Sequence, residues 1–261
     1  MTPRRPEVLG IPVDAVTRGE MLDRVAEFVE EGARRTVAYV NLHVLDEAGR
    51  HPDLAAFLRG ADLCYCDGEG VRLAARILGE HLPERITGAD WIWDLAARAE
   101  GRWRLAWVGG APGVSEAAAA RLRERHPRLE IAAFQGYLSD GDTAAVLEAL
   151  GEVRPHVVLV GMGTPVQERW VGAHRAAIEA PVAWCLGATA DFVSGRIRRG
   201  PALLHRRQEW AARLLADPRR LWRRYLVGAP RVLARAAAAR VAGPRPPTAA
   251  RAGPPRRDPG P

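Results

Sequence analysis

The stretch Leu63-Cys64-Tyr65-Cys66-Asp67-Gly68-Glu69-Gly70-Val71 decides how this chain folds. The four apolar residues at 63–66 read as a short buried strand, and Val71, Leu73, Ala74, Ile77 and Leu78 follow at helical spacing. A strand that turns directly into a helix is the repeating unit of an open α/β sheet, where ligands bind at the carboxyl ends of the strands. Asp67 stands at such an end. Glycines at 68 and 70 let the backbone turn sharply and approach a ligand with no Cβ between them. Two readings of Asp67 stand side by side: a carboxylate that acts on a ligand, or the N-cap of the following helix, a position that Asp favours.

The same alternation extends in both directions. Apolar, β-branched or aromatic runs at 36–42, 62–66, 103–109, 129–134, 156–162 and 181–187 read as six strands, separated by helical patterns at 19–31, 44–59, 70–79, 89–99, 113–126, 142–151 and 166–178. This predicts an α/β fold, a Rossmann-like, mostly parallel sheet flanked by helices, over residues 1–195. Beyond Gly195 the pattern changes to helices without strands. In 201–216, Leu203, Leu204, Trp210, Leu214 and Leu215 share one face while Arg206, Arg207 and Arg213 lie elsewhere. Asp217-Pro218 reads as the N-cap and first position of a second helix, with Leu221, Trp222, Tyr225, Leu226 and Val232 set among arginines. Residues 196–240 are thus expected to form a basic amphipathic helical appendage. Residues 241–261, mostly Pro, Gly, Ala and Arg, are expected to be a disordered tail.

Composition narrows the chemistry. The 261 residues are 48% hydrophobic, enough for a sizeable core. Cys64, Cys66 and Cys185 are few and odd in number and sit in apolar runs, which argues against a disulfide framework and for a reducing compartment. Cys64 and Cys66 share a strand face, but no neighbouring His or Cys cluster completes a metal site, so none is expected. The chain contains no lysine, which removes Schiff-base and P-loop chemistry. No apolar run is long enough to span a bilayer and the N-terminus lacks a signal peptide's apolar segment, so a cytoplasmic location is expected. The net charge of +7 conceals an asymmetry: residues from 196 onward hold 17 arginines against Glu209, Asp217 and Asp258, leaving the body of the chain net acidic. A cationic end on an acidic body points to a polyanion: phospholipid headgroups, a diphosphate or nucleic acid. No RNP, KH, zinc-finger or helix-turn-helix signature supports nucleic acid.

Two further glycine turns follow strands and open helices, Gly109-Gly110-Ala111-Pro112-Gly113 and Gly161-Met162-Gly163-Thr164-Pro165. Such turns can aim backbone amides at phosphate, and two of them favour a nucleotide or nucleotide-sugar diphosphate. Neither fits Gly-x-Gly-x-x-Gly or Walker A, which disfavours NAD and ATP. Asn41, at the end of the first long strand, suits either a hydrogen bond to a sugar hydroxyl or a helix cap. His43 and His51 read as helix-surface residues. Arg85, in the polar loop after the Asp67 helix, can reach an anionic ligand or pair with Glu84 or Asp90. Asp191 follows the last strand as ligand contact or cap.

In this order these elements resemble the WecB/TagA/CpsF glycosyltransferases, glycosyltransferase family 26. The resemblance rests on Asn41, Ala61 to Val71, Leu78 to Asp90, Val108 to Gly113, Val160 to Trp170, Ala190 to Pro201 and, most specifically, Glu209 to Pro230, together spanning residues 8 to 233. It implies a metal-independent inverting transferase with no cofactor. Such an enzyme moves a hexose or N-acetylhexosamine, of N-acetylmannosamine type, from a UDP-sugar to a polyprenyl-diphosphate-linked sugar. The product would be teichoic acid, exopolysaccharide or capsule, made at the inner face of the cell membrane. On this resemblance Asp67 is the general base, Asn41 and Gln167 position donor or acceptor, Gly110 and Gly163 admit the nucleotide, and Asp191 contributes to donor binding. Arg85, Arg213, Arg220 and Arg223 neutralise diphosphate. The appendage docks on the bilayer, and its withdrawal allows a homo-oligomer. The chain departs from the pattern at Tyr39, where many members have Thr, at Cys66, where Pro is common, and at Val166, where Lys is common. The competing expectation is a nucleotide-binding α/β regulatory module without turnover.

Overall fold

The computed structural model of the protein describes residues 4–197, 219 and 222–243. A hairpin of β1 (Glu7–Val8) and β2 (Ile11–Pro12) leads into α1 (Arg18–Glu31). The main sheet comprises β3 (Arg35–Val40), β4 (Leu63–Cys66), β5 (Arg104–Gly109), β6 (Glu130–Phe134), β7 (Val157–Gly161) and β8 (Val182–Cys185). All its pairings are parallel, in the order β4-β3-β8-β7-β5-β6. Between the strands run α2 (Leu42–Ala48), α3 (Pro52–Gly60), α4 (Glu69–Leu78), α5 (Gly88–Ala99), α6 (Val114–Arg125), α7 (Asp140–Val153) and α8 (Val166–His174). A short α9 (Thr189–Val193) follows β8, and a π-helical turn at Arg223–Gly228 enters α10 (Ala229–Ala242).

All six expected strands are present. Two features differ from the sequence expectation, each for a local reason. The helix expected over 44–59 is two helices, because Pro52 has no N–H to donate and pushes His51 into extended backbone, φ −121° and ψ 98°. The hairpin at 7–12 has only two residues per strand, too few for a periodic signal.

Strand side chains alternate between two cores. Leu105, Trp107, Val157, Leu159, Val182 and Trp184 enter the larger one. Their neighbours Ala106, Val108, Val158, Val160, Ala183 and Cys185 enter the other. A sheet buried on both faces needs such unbroken apolar runs. In the larger core Trp91 stacks on Trp184 at 3.9 Å, and Tyr65 meets both edge-on at 6.4 and 6.1 Å. This cluster anchors β4, the strand that leads into Asp67.

At their carboxyl ends the central strands lie too close for side chains. A methyl at Gly109 would meet the Gly161 carbonyl at 2.5 Å, one at Gly161 the Gly187 carbonyl at 2.6 Å, and one at Gly187 the Tyr39 hydroxyl at 2.5 Å. The C-terminal helix is built into the body. Helix α10 packs on α4 and α2, with Val232 and Ala236 fully buried in the larger core. The expected apolar stripe is therefore divided: Val232 faces inward, whereas Trp222 and Leu226 stay exposed at 43% and 58%. The 201–216 helix, Arg213, Arg220 and the tail beyond 243 lie outside the described residues.

The glycine contacts give a prediction with two signs. Gly161→Ala should destabilise by about 1–3 kcal/mol, because the strand backbones must separate. Gly151→Ala, on α7 with nothing within 4 Å, should stabilise by about 1 kcal/mol. Urea midpoints of the two variants read the difference.

Candidate active site

The register of β3 and β4 brings two of the expected residues together. Val40 pairs with Cys66, so Asn41 and Asp67 are the next residues along adjacent strands, and the Asp67 N–H donates to the Val40 carbonyl at 2.8 Å. The cap question is resolved separately for each. Asn41 is the N-cap of α2, its Oδ1 accepting from the Val44 N–H at 3.0 Å, which turns Nδ2 to other partners. Asp67 is not the N-cap residue. That position in α4 belongs to Gly68, at φ 127° and ψ 148°. Only glycine adopts this conformation readily, which is the reason for its place beside Asp67. Gly70 has a different purpose: a methyl there would run into Leu42, so it sets the close packing of α4 on α2.

The Arg85 loop closes on the same strand end, as the Ile86 N–H donates to the Cys66 carbonyl at 2.9 Å. Arg85 lies 3.9 Å from Asp90, which also accepts from the Thr87 hydroxyl. Gly88, one residue on, packs against Thr189, joining this loop to α9. Asp191 lies on α9, 3.6 Å from Arg196, and Gly110 approaches Ala190 in the same helix. Asn41, Asp67, Arg85, Gly110 and Asp191 thus line one carboxyl edge of the sheet. Gly163, at φ 82° with nothing within 4 Å, opens onto it from the turn after β7.

Gln167 takes a more interior place than a ligand contact. It is 0% exposed, accepts from the Gly187 N–H at 2.9 Å and donates to Glu168 at 2.7 Å. It ties the turn after β7 to the turn after β8, and acts on the cleft by holding both. Arg223 is exposed, its guanidinium 5.3 Å from the Trp222 ring.

Three residues at the site are not singled out by sequence periodicity. Glu168 is 2% exposed; its Oε1 accepts from Gln167 and from the Thr164 hydroxyl, and its Oε2 is buried with no partner among the described residues. Burial raises its carboxyl above the ordinary range, against the lowering effect of those hydrogen bonds. Tyr39 lies beneath Gly187, and burial together with the charges of Glu168 and Asp67 holds its phenol neutral, pushed above the ordinary value. Arg224 lies on the π-helical turn that packs against α2, the helix that carries His43. A carboxylate on a helix opening and a tyrosine in a strand are ordinary in sequence, and only the fold makes them neighbours.

With this geometry in view, the comparisons with known proteins define the class. The family model described as "Glycosyl transferase WecG/TagA/CpsF family" matches residues 6–246. The chain belongs to that family, and it is a glycosyltransferase. Among its relatives is an N-acetylglucosaminyldiphosphoundecaprenol N-acetyl-beta-D-mannosaminyltransferase of Bacillus spizizenii, 31% identical over 202 residues that cover 76% of this chain and 77% of the relative. A Staphylococcus aureus protein of the same name is 27% identical over 221 residues, covering 83% and 87%.

His43, on the first turn of α2, gives the pH test of this corner. Burial and the Arg224 and Arg50 charges, opposed by Glu47 and Asp46, push its imidazole down to about 4. The unfolded chain, with histidine near 6.5, then binds the extra proton first, so stability falls as pH drops from about 6.5 to about 4. His43→Gln lacks this component. The unfolding free energy of the wild type relative to the variant should decline across that window and stay level above it; a constant difference down to pH 4 refutes the placement.

Proposed function

We propose that the protein is an inverting transferase that moves an N-acetylmannosamine-type hexosamine from a UDP-sugar to a polyprenyl-diphosphate-linked sugar in cell-surface polysaccharide synthesis. The observation that carries this reading is the pairing of Asn41 and Asp67 on adjacent strand ends, with Gly68 rather than Asp67 at the N-cap of α4. The printed names of the relatives describe mannosaminyl transfer to an N-acetylglucosaminyl diphosphoundecaprenol, which supports the acceptor class. In this reading an acceptor hydroxyl oxygen attacks the anomeric carbon from the face opposite the nucleotide. Its proton passes to the Asp67 carboxylate, and the bond from the anomeric carbon to the β-phosphate oxygen breaks with its electron pair, releasing UDP. One displacement inverts the anomeric configuration. The Nδ2 of Asn41 orients a sugar hydroxyl, and the glycine turns after β5 and β7 let backbone approach the nucleotide. Arginine forks, Arg85 among them, offset the charge gathering on the leaving diphosphate without calling on a metal ion.

The reading also puts the enzyme on the membrane that holds its acceptor. Among the described residues no helix is long and apolar enough to cross a membrane. Trp222, Leu226 and Val227 are exposed at 43%, 58% and 41% beside Arg219 and Arg223, a composition suited to an anionic lipid surface.

Two outcomes are expected. Asp67→Asn should lower transfer from UDP-N-acetylmannosamine by about 10²-fold or more while UDP affinity, measured by calorimetry, stays within about twofold; full activity in that variant sinks the mechanism. Changing Trp222, Leu226 and Val227 together to Ser should release the protein from anionic vesicles in sedimentation, with UDP binding retained. Substitution is the cleaner test, because deleting the chain from 196 onward would also take Val232 and Ala236 out of the core.

A further inference from the structure

Residues 80–87, the loop that carries Arg85, form neither helix nor strand, so no backbone ladder holds them in place. Leu82 and Ile86, 2% and 1% exposed, enter the larger core. Glu84 accepts from the Arg18 N–H, at the start of α1, at 2.7 Å. The carbonyls of Leu82 and Pro83 receive no backbone N–H among the described residues. Both are met instead by one side chain, Arg72 of α4, whose Nε donates to Leu82 at 3.1 Å and whose Nη2 donates to Pro83 at 3.2 Å. Its Nη1 donates to the two carboxylate oxygens of Glu69 at 2.9 and 3.1 Å.

All three nitrogens of Arg72 are thus engaged, two on the loop and one on the first turn of α4. A rigid guanidinium fork can hold two successive carbonyls and a carboxylate at once, which an ammonium on a flexible stem does not. The ion pair with Glu69 is part-exposed and contributes little by itself. What matters is the place of Glu69 in the chain. Cys66, one residue before Asp67, accepts the Ile86 N–H, and Glu69, two residues after Asp67, holds Leu82 and Pro83 through Arg72. The loop is therefore fastened on both sides of Asp67, and Arg85 lies between the two fastenings.

We propose that Arg72 is a positioning residue for sugar transfer: by locking the Leu82 and Pro83 carbonyls to the first turn of α4, it keeps Arg85 in a fixed placement relative to Asp67. Arg72 acts through Arg85 and not on the substrate. The role of Arg85 rests on the transferase reading above; the fastening of its loop does not.

Two measurements on the full-length chain test this. Amide hydrogen exchange reads the fastening: in Arg72→Lys, which keeps the charge without the fork, the Ile86 amide should exchange about tenfold faster or more, with the β5 and β7 amides unchanged. An unchanged Ile86 amide, or a rise shared equally by β5 and β7, overturns the proposal. Transfer kinetics read the consequence, with UDP-N-acetylmannosamine and a short polyprenyl-diphosphate-linked N-acetylglucosamine as substrates. Arg72→Lys should lower kcat/KM about tenfold or more, because a displaced charge-stabilising group loses much of its effect. In an Arg85→Ala background the same substitution should cost nothing further, a pattern that mere loss of folded protein does not produce. Equal losses in the two backgrounds, or a full rate in Arg72→Lys, also overturn the proposal. Wild-type protein that transfers no sugar defeats the transferase reading, while the exchange comparison still decides whether Arg72 fastens the loop.

Discussion

The candidate site depends on one backbone hydrogen bond, from the Asp67 N–H to the Val40 carbonyl at 2.8 Å, which carries the β3–β4 ladder one residue past the last paired side chains. Parallel register leaves the next residues no freedom. If Val40 faces Cys66, the first residue of each βα turn must lie beside the other, about one strand spacing away. Asn41 then caps its helix, while Gly68 takes the N-cap position in the next. The two turns are equivalent by topology and opposite in chemistry.

Behind that edge the sheet is packed too tightly for side chains, and the tightness has electrostatic consequences. Gly109, Gly161 and Gly187 bring strand ends into backbone contact and seat the Tyr39 hydroxyl against them. Water is excluded from this layer, so the Glu168 carboxyl is raised and the Tyr39 phenol stays neutral. Gln167 spends its amide on holding two glycine turns together. The wall of the cleft is thus rigid and polar, but committed inward. On the proposed reading a ligand meets the outer layer: Asp67, Asn41, the Arg85 loop and the open turn at Gly163.

The C-terminal segment is joined to this edge through the helices that Asn41 and Gly68 begin. Helix α10 packs on α2 and α4, so the position of the segment's cations and the position of the strand-end side chains are set by the same two helices. The buried Asp46 carboxylate, shared by Arg50 and Arg231, gives that contact a fixed register which apolar packing of Val232 and Ala236 alone would specify less sharply.

The order of elements was written in the chain itself. Six apolar runs separated by helical periods can be buried only as a two-sided parallel sheet, and all six appear within two residues of their expected ends. The junctions that hold Asp67, Asn41, Gly110, Gly163 and Asp191 were legible because a strand-to-helix junction announces itself locally, through an apolar run, a polar residue and glycine. The burial of Glu168, Asp46 and Arg224 was not legible, because nothing in their local sequence distinguishes a buried charge from a solvated one. Asp46, for one, is met by Arg231 from 185 residues farther along the chain. The direction of the C-terminal arginines is the clearest case. Composition alone determines that this end of the chain is cationic, since charge is a property of the residues present. Which arginine is drawn inward is decided by tertiary structure, because only the packing of the π-helical turn and α10 on α2 and α4 separates the half-buried Arg224 from its exposed neighbour Arg223.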